Sequence, residues 1–130
     1  MLMWIADWWR DNIAKIDIRT HKVTYYPVPG SSPFQLYGAY DTVVDKNGIV
    51  WVDLQNADSV AKFDPKTEQW TLYPLSTRGT EIRFIDVDNN KERVEIWVPY
   101  WRTNRVARLQ FRRKDELQAL AQRLTAQRTQ

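Results

Sequence analysis

The chain has no cysteine, which excludes disulfide staples and any thiolate nucleophile but leaves the compartment open, because exported bacterial domains often manage without disulfides. It has a single histidine, His21. No stretch approaches the roughly 18 consecutive apolar residues of a membrane-spanning helix. The amino end, MLMWIADWWRDN, lacks a basic segment followed by an apolar run and does not read as a secretory signal. An EF-hand loop, a zinc pattern, a phosphate-binding glycine loop and a G-x-S-x-G elbow are all missing. What is plentiful is aromatic: seven Trp and six Tyr in 130 residues, a weight that suits β-strands and binding surfaces.

The length fits one ordinary domain, and 43% hydrophobic with 27% charged residues is a globular balance. The net charge of +3 is unevenly placed, with Arg102, Arg105, Arg108, Arg112, Arg113 and Lys114 crowding the last third. Arginines three apart on a strand alternate faces and form no continuous basic stripe, so nucleic acid is not the expected partner. No membrane partner is expected either.

An internal repeat organises the rest. Trp4 and Trp51 are 47 residues apart, as are Ala14-Lys15 and Ala61-Lys62, Asp17 and Asp64, Thr20 and Thr67, and Tyr26-Pro27 and Tyr73-Pro74. A fainter third copy lies 46 further on, where Trp97 answers Trp51 and 106–109 answers 60–63. Each copy reads as short strands bounded by turn signals. The first predicts strands b (2–6), c (13–17) and d (22–26). The second predicts a (40–45), b (49–54), c (59–63) and d (68–73), with Asn47-Gly48 as a tight hairpin turn of positive φ. The third predicts a (82–88), b (94–98) and c (106–111). Four antiparallel strands in about 47 residues is the arithmetic of a β-propeller blade. The expected fold is therefore all-β: a partial propeller of about two and a half four-stranded antiparallel blades over 1–111, at about 2–27, 40–74 and 82–111. Residues 112–130 read as a basic linker and an amphipathic helix with Leu117, Leu120, Ala121 and Leu124 on one stripe, which could cover the outer edge of the third blade. A closed propeller takes about four to eight blades. The ring is thus expected to need another copy of the chain or a larger propeller chain.

The pattern carried by MWIADWWRDNIAKIDIRTHKVTYYPVP, VWVDLQNADSVAKFDPKTEQWTLYPL and IWVPYWRTNRVARLQF resembles the carboxyl-terminal blades of the virginiamycin B lyase-like (streptogramin lyase) propellers, and shades into gluconolactonase-like and NHL-type blades. The resemblance implies a propeller of a family often exported. In its catalytic form it implies a carbon–oxygen lyase that opens a cyclic depsipeptide by elimination, with histidine, glutamate and a magnesium ion. None of that catalytic set carries over to this chain. His21 falls on the c–d turn, aligned with Glu68.

The expected function is therefore a non-catalytic ligand-binding or scaffold segment with no cofactor. The alternative is the magnesium-dependent lyase, or a related hydrolase, with its site completed by other blades. In a propeller the b–c and d–a loops share the face that usually binds ligands. The candidates there are Trp8, Trp9 and Arg10 in the first b–c loop, Gln55 and Asn56 in the second, and Tyr100, Trp101 and Arg102 in the third. An indole beside a guanidinium offers a stacking plane and a fork of donors, suited to a sugar, an aromatic ring, a carboxylate or a peptide. Asp7, Asp11, Asp58 and Asn104 share these loops, and Phe34, Gln35 and Tyr37 lie in the d–a loop beside them. The acids Asp41, Asp45, Asp53, Asp86 and Asp88 fall near strand ends, but their spacing defines no metal site.

Overall fold

A computed structural model describes residues 1–128; the last two residues of the 112–130 segment lie outside the described residues. Among the described residues ten strands and one helix follow one another: β1 (Leu2–Asp7), β2 (Asn12–Asp17), β3 (Lys22–Pro27), β4 (Ala39–Val44), β5 (Val50–Leu54), β6 (Ser59–Asp64), β7 (Gln69–Pro74), β8 (Asp86–Asp88), β9 (Glu95–Pro99), β10 (Val106–Gln110) and α1 (Lys114–Arg128). They form three antiparallel sheets, ordered β1-β2-β3, β4-β5-β6-β7 and β8-β9-β10, each a meander of sequential neighbours.

Alternation in β5 joins the sheets, because its two faces enter two different cores. Val50, Val52 and Leu54 pack with Ile13, Tyr26 and Phe63 between the first and second blades. Trp51 points the other way and packs with Val60, Ile96 and Val98 between the second and third. The aromatic contacts repeat with the sequence. Trp4 meets Tyr26 at 5.7 Å, and 47 residues on Trp51 meets Tyr73 at 6.0 Å. Burying each large apolar side chain of these faces stabilises by about 2 kcal/mol. Blade-on-blade packing therefore holds the array, with the ladders fixing its register.

The turns explain the aspartates at the strand ends. Asp17 accepts the N–H groups of Arg19 and Thr20, and Asp64 that of Lys66. His21 and Glu68, which align, both adopt left-handed φ (59° and 56°) to close these c–d turns. The a–b turn of the second blade departs from the Asn-Gly expectation. Only Gly48 has positive φ (80°), because Asp45 accepts the N–H groups of both Asn47 and Ile49 and sets a longer turn ending in one left-handed residue.

Two elements differ from expectation. In the third blade the innermost strand is regular only over β8; Ile82 makes one isolated bridge to Tyr100, and the chain between leaves the ladder. No residue of α1 is buried, so its apolar stripe does not cover β10. An ion pair anchors the helix instead: Arg93 donates to both oxygens of Glu116 at 2.7 Å, and also to the carbonyl of Phe111. These bonds, with the Arg113 N–H, hold the Glu116 carboxyl down at about 2.

Candidate functional site

The b–c loops carry the repeat's most regular feature. Asp11, Asp58 and Asn104, spaced by 47 and 46 residues, share one left-handed conformation with φ of 48°, 47° and 47°. Asp and Asn tolerate this region better than other side chains because they bond locally to the backbone. Here the side chain serves the neighbouring blade. Asp11 accepts the N–H groups of Tyr37 (2.6 Å), Gly38 (2.6 Å) and Ala39 (3.1 Å), where the chain enters the second blade. Asp58 accepts from Gly79 (2.9 Å), Thr80 N–H (2.7 Å) and Thr80 Oγ1 (2.6 Å), where it enters the third. Burial alone raises the Asp58 pKa, but the Thr80 and Gly79 donors outweigh it and hold the carboxyl below its ordinary value. These two acids are latches between blades. Asn104 occupies the same place on the third blade and is exposed.

The latches bring the predicted loop residues together in two groups. In the first, Trp8 donates through Nε1 to Gln55 Oε1 at 2.6 Å, joining one b–c loop to the next, and Trp9 stacks edge-on against Trp8 at 4.8 Å. Gln55 is buried, whereas Trp9, Arg10 and Asn56 are exposed. In the d–a loop Phe34 and Gln35 are exposed, and Tyr37 is half-buried against the first core.

The second group surrounds Trp101. The Arg83 guanidinium lies over the Trp101 indole at 4.4 Å, and Glu81 joins Arg102 at 2.5 Å and Arg83 at 3.5 Å. A cavity of about 140 Å³ opens beside them, lined by Arg83, Phe84, Pro99, Tyr100 and Trp101. Two of the three buried polar side-chain atoms without a hydrogen-bond partner among the described residues lie in this region, Arg83 Nε and Thr103 Oγ1. An unmade hydrogen bond of this kind costs about 1–3 kcal/mol.

Glu81 and Arg83 are not among the sequence candidates, because 82–88 reads as a strand and Glu81 as the residue before it. A signal was present in the register. Ala39 pairs with Leu54, and Ile82 pairs with Tyr100, which lies 46 residues after Leu54. Glu81 therefore occupies the place of Gly38, and both have positive φ, 48° and 72°. Glutamate in that conformation carries about 1–2 kcal/mol of strain, and such strain gathers at functional sites. The two positions should respond differently. At Gly38 a Cβ would come within 2.7 Å of Trp8 Nε1 as well as being strained, so Gly38→Ala is expected to destabilise by about 2 kcal/mol. Glu81→Gly should alter stability by less than about 1 kcal/mol, since relief of strain offsets two partly exposed ion pairs. Urea midpoints for the two variants decide this, and equal losses would remove the strain assigned to Glu81.

A magnesium-dependent elimination site does not fit these residues. His21 lies on a c–d turn, at the opposite ends of the strands from the b–c loops. Among the described residues no three His, Cys, Asp or Glu converge to hold a metal ion.

Three antiparallel meanders packed face to face, each latched to the next, are successive blades of a β-propeller. The particular propeller fold is that of virginiamycin B lyase. The Staphylococcus aureus enzyme superposes with a TM-score of 0.69 at 21% identity, over 82% of this chain and 33% of its own. A streptogramin B lyase gives 0.66 at 16% identity, over 88% of this chain and 38% of its own. The extracellular domain of a one-component system protein from B. thetaiotaomicron gives 0.51 at 17% identity, over 84% of this chain and 15% of its own. The chain thus spans between 33% and 38% of the length of these lyases. No family model matches the sequence, and no curated protein does.

Proposed function

We propose that the chain is a non-catalytic scaffold segment of a propeller: it supplies three consecutive blades, packs its two end faces head to tail on those of a second copy, and presents its loop face to ligand. The supporting observation is one repeat position seen three times. Trp4 and Trp51 are covered by the following blade, while Trp97 is 39% exposed and its neighbour Val106 is 62% exposed. The other end of the array offers the matching surface. Met3, Ile5, Val23 and Tyr25 on the first blade are exposed, and their counterparts Val50, Val52, Trp70 and Leu72 on the second pack into the first core. A face of blade three and a face of blade one are thus of the two kinds that already pair twice within the chain. Repeat units bury their apolar faces on neighbours in this way, and a head-to-tail contact closes into a ring where the rotation allows. Light scattering on the purified protein tests it: a discrete multiple of 15.5 kDa is expected, and a single chain at all concentrations would sink the assembly.

A further inference from the structure

We propose that the cluster of Glu81, Arg83, Trp101 and Arg102 is a binding site for a flat aromatic carboxylate, with the ring seated on Trp101 and the carboxylate replacing Glu81 on the guanidinium edges. The inference rests on the loop face being the ligand face and not on the pairing of the end faces, although Pro99 adjoins Val106 at the edge of the blade-three end face.

The charge in the cluster favours an anion. Two guanidiniums face one carboxylate, which reaches Arg102 closely but Arg83 only at 3.5 Å. One positive charge is therefore unmatched, and it lies against an apolar wall of Phe84, Pro99, Tyr100 and Trp101. Guanidiniums bind carboxylates through paired N–H donors, and an indole adds a stacking plane of the right breadth for a ring. The cavity of about 140 Å³ has room for a single ring. Trp101 has 62% of its surface in water and Arg102 has 69% of its side chain there, so both are open to an incoming molecule.

Glu81 gives the site a property that a bare Arg–Trp pair lacks. It is an internal competitor, held in a strained conformation on the groups the ligand needs. Neutralising it leaves both guanidiniums for the ligand, so the variant that removes an ion pair is the one that binds better.

The experiment is a titration of the full ¹⁵N-labelled chain with benzoate, following the backbone amides of Phe84 and Arg102, which every variant keeps, with benzamide as the uncharged isostere. Saturable benzoate binding is expected, weakened about tenfold by Trp101→Ala or Arg83→Gln and about tenfold in benzamide. Glu81→Gln should tighten it several-fold, about the effect of freeing one charged hydrogen bond. The amide spectrum of the sheets shows in each case that the variant is folded, and Glu81→Gln preserves shape where the other changes disturb it. A folded chain with no saturable shift, benzamide binding as well as benzoate, or Glu81→Gln binding more weakly than wild type would each overturn the site.

Discussion

An equimolar mixture of Trp97→Asp and Met3→Asp chains is expected to form a discrete two-chain complex, twice 15.5 kDa, while each variant alone stays a single chain. Each substitution places a carboxylate in the middle of one end face and leaves the other face intact. A buried unpaired charge costs several kcal/mol, more than enough to abolish a contact built on a few apolar side chains. Mixing restores one good junction, between the blade-three face of the Met3→Asp chain and the blade-one face of the Trp97→Asp chain. Both residues are partly in water already, at 39% and 45% exposure, so neither change strains its own blade. A symmetric contact of like faces would behave differently, with at least one variant still pairing with itself. Multi-angle light scattering after size exclusion separates the cases, and a mixture that stays at the single-chain mass would refute the head-to-tail contact.

Between pH 5 and pH 8 the wild-type chain is expected to lose thermal stability, by on the order of 10 °C, and Asp53→Asn is expected to lose less than about a third of that. Asp53 is fully buried in β5. Opposite it, β4 carries a bulge: the register moves from Ala39–Leu54 to Thr42–Val52, so Tyr40 and Asp41 share one partner. The Asp53 carboxyl accepts the Asp41 N–H through Oδ1, while Oδ2 has no partner. Burial raises its pKa to about 8; the Asp41 N–H opposes the rise and the nearby Asp41 charge adds to it. In the unfolded chain the same group titrates near its ordinary value of about 3.9. The folded state therefore binds the extra proton between these values. Stability is full at the acid end, falls by up to about 1.4 kcal/mol per pH unit as pH rises toward 8, and levels off above it. An asparagine cannot titrate. Parallel melting curves for the two proteins across this range would show that Asp53 does not carry the dependence.

The architecture was legible because the repeat and the turns are written in local residue types. Nine of the ten strands among the described residues fall within a residue or two of where Trp, Val-x-Val alternation and the Asp-led turns place them; the innermost strand of the third blade is the exception, because the chain at 83–85 leaves the ladder to carry Arg83 over Trp101. The loop face was legible as a neighbourhood, and less so residue by residue. Topology puts Trp8 and Gln55 on one face, and their mutual bond makes them a joint between loops. Asp11 and Asp58 were placed on the ligand face, where the structure has them gripping backbone. That role depends on N–H groups 26 to 28 residues away in one case and 21 or 22 in the other, a separation at which no side-chain pattern signals it. Asp53 gave the least warning, since a carboxylate in VWVDLQ looks like an ordinary polar position on an alternating strand until both faces of that strand prove to be covered.

The latches also give the array a direction. The first and second blades each carry the acceptor for the one after and receive nothing of the kind from that successor, so the two ends of the molecule are chemically unlike. At the carboxyl-terminal end the equivalent position is Asn104, an exposed amide in the same left-handed conformation; the amino-terminal end can be extended only by a blade that brings its own acceptor. Propellers made by stitching such units together should therefore be lengthened beyond β10, with the fourth strand that the third sheet lacks and then a segment equivalent to 28–74, its loop as well as its four strands. A blade grafted there without that loop would pack its apolar face and still leave the joint unfastened.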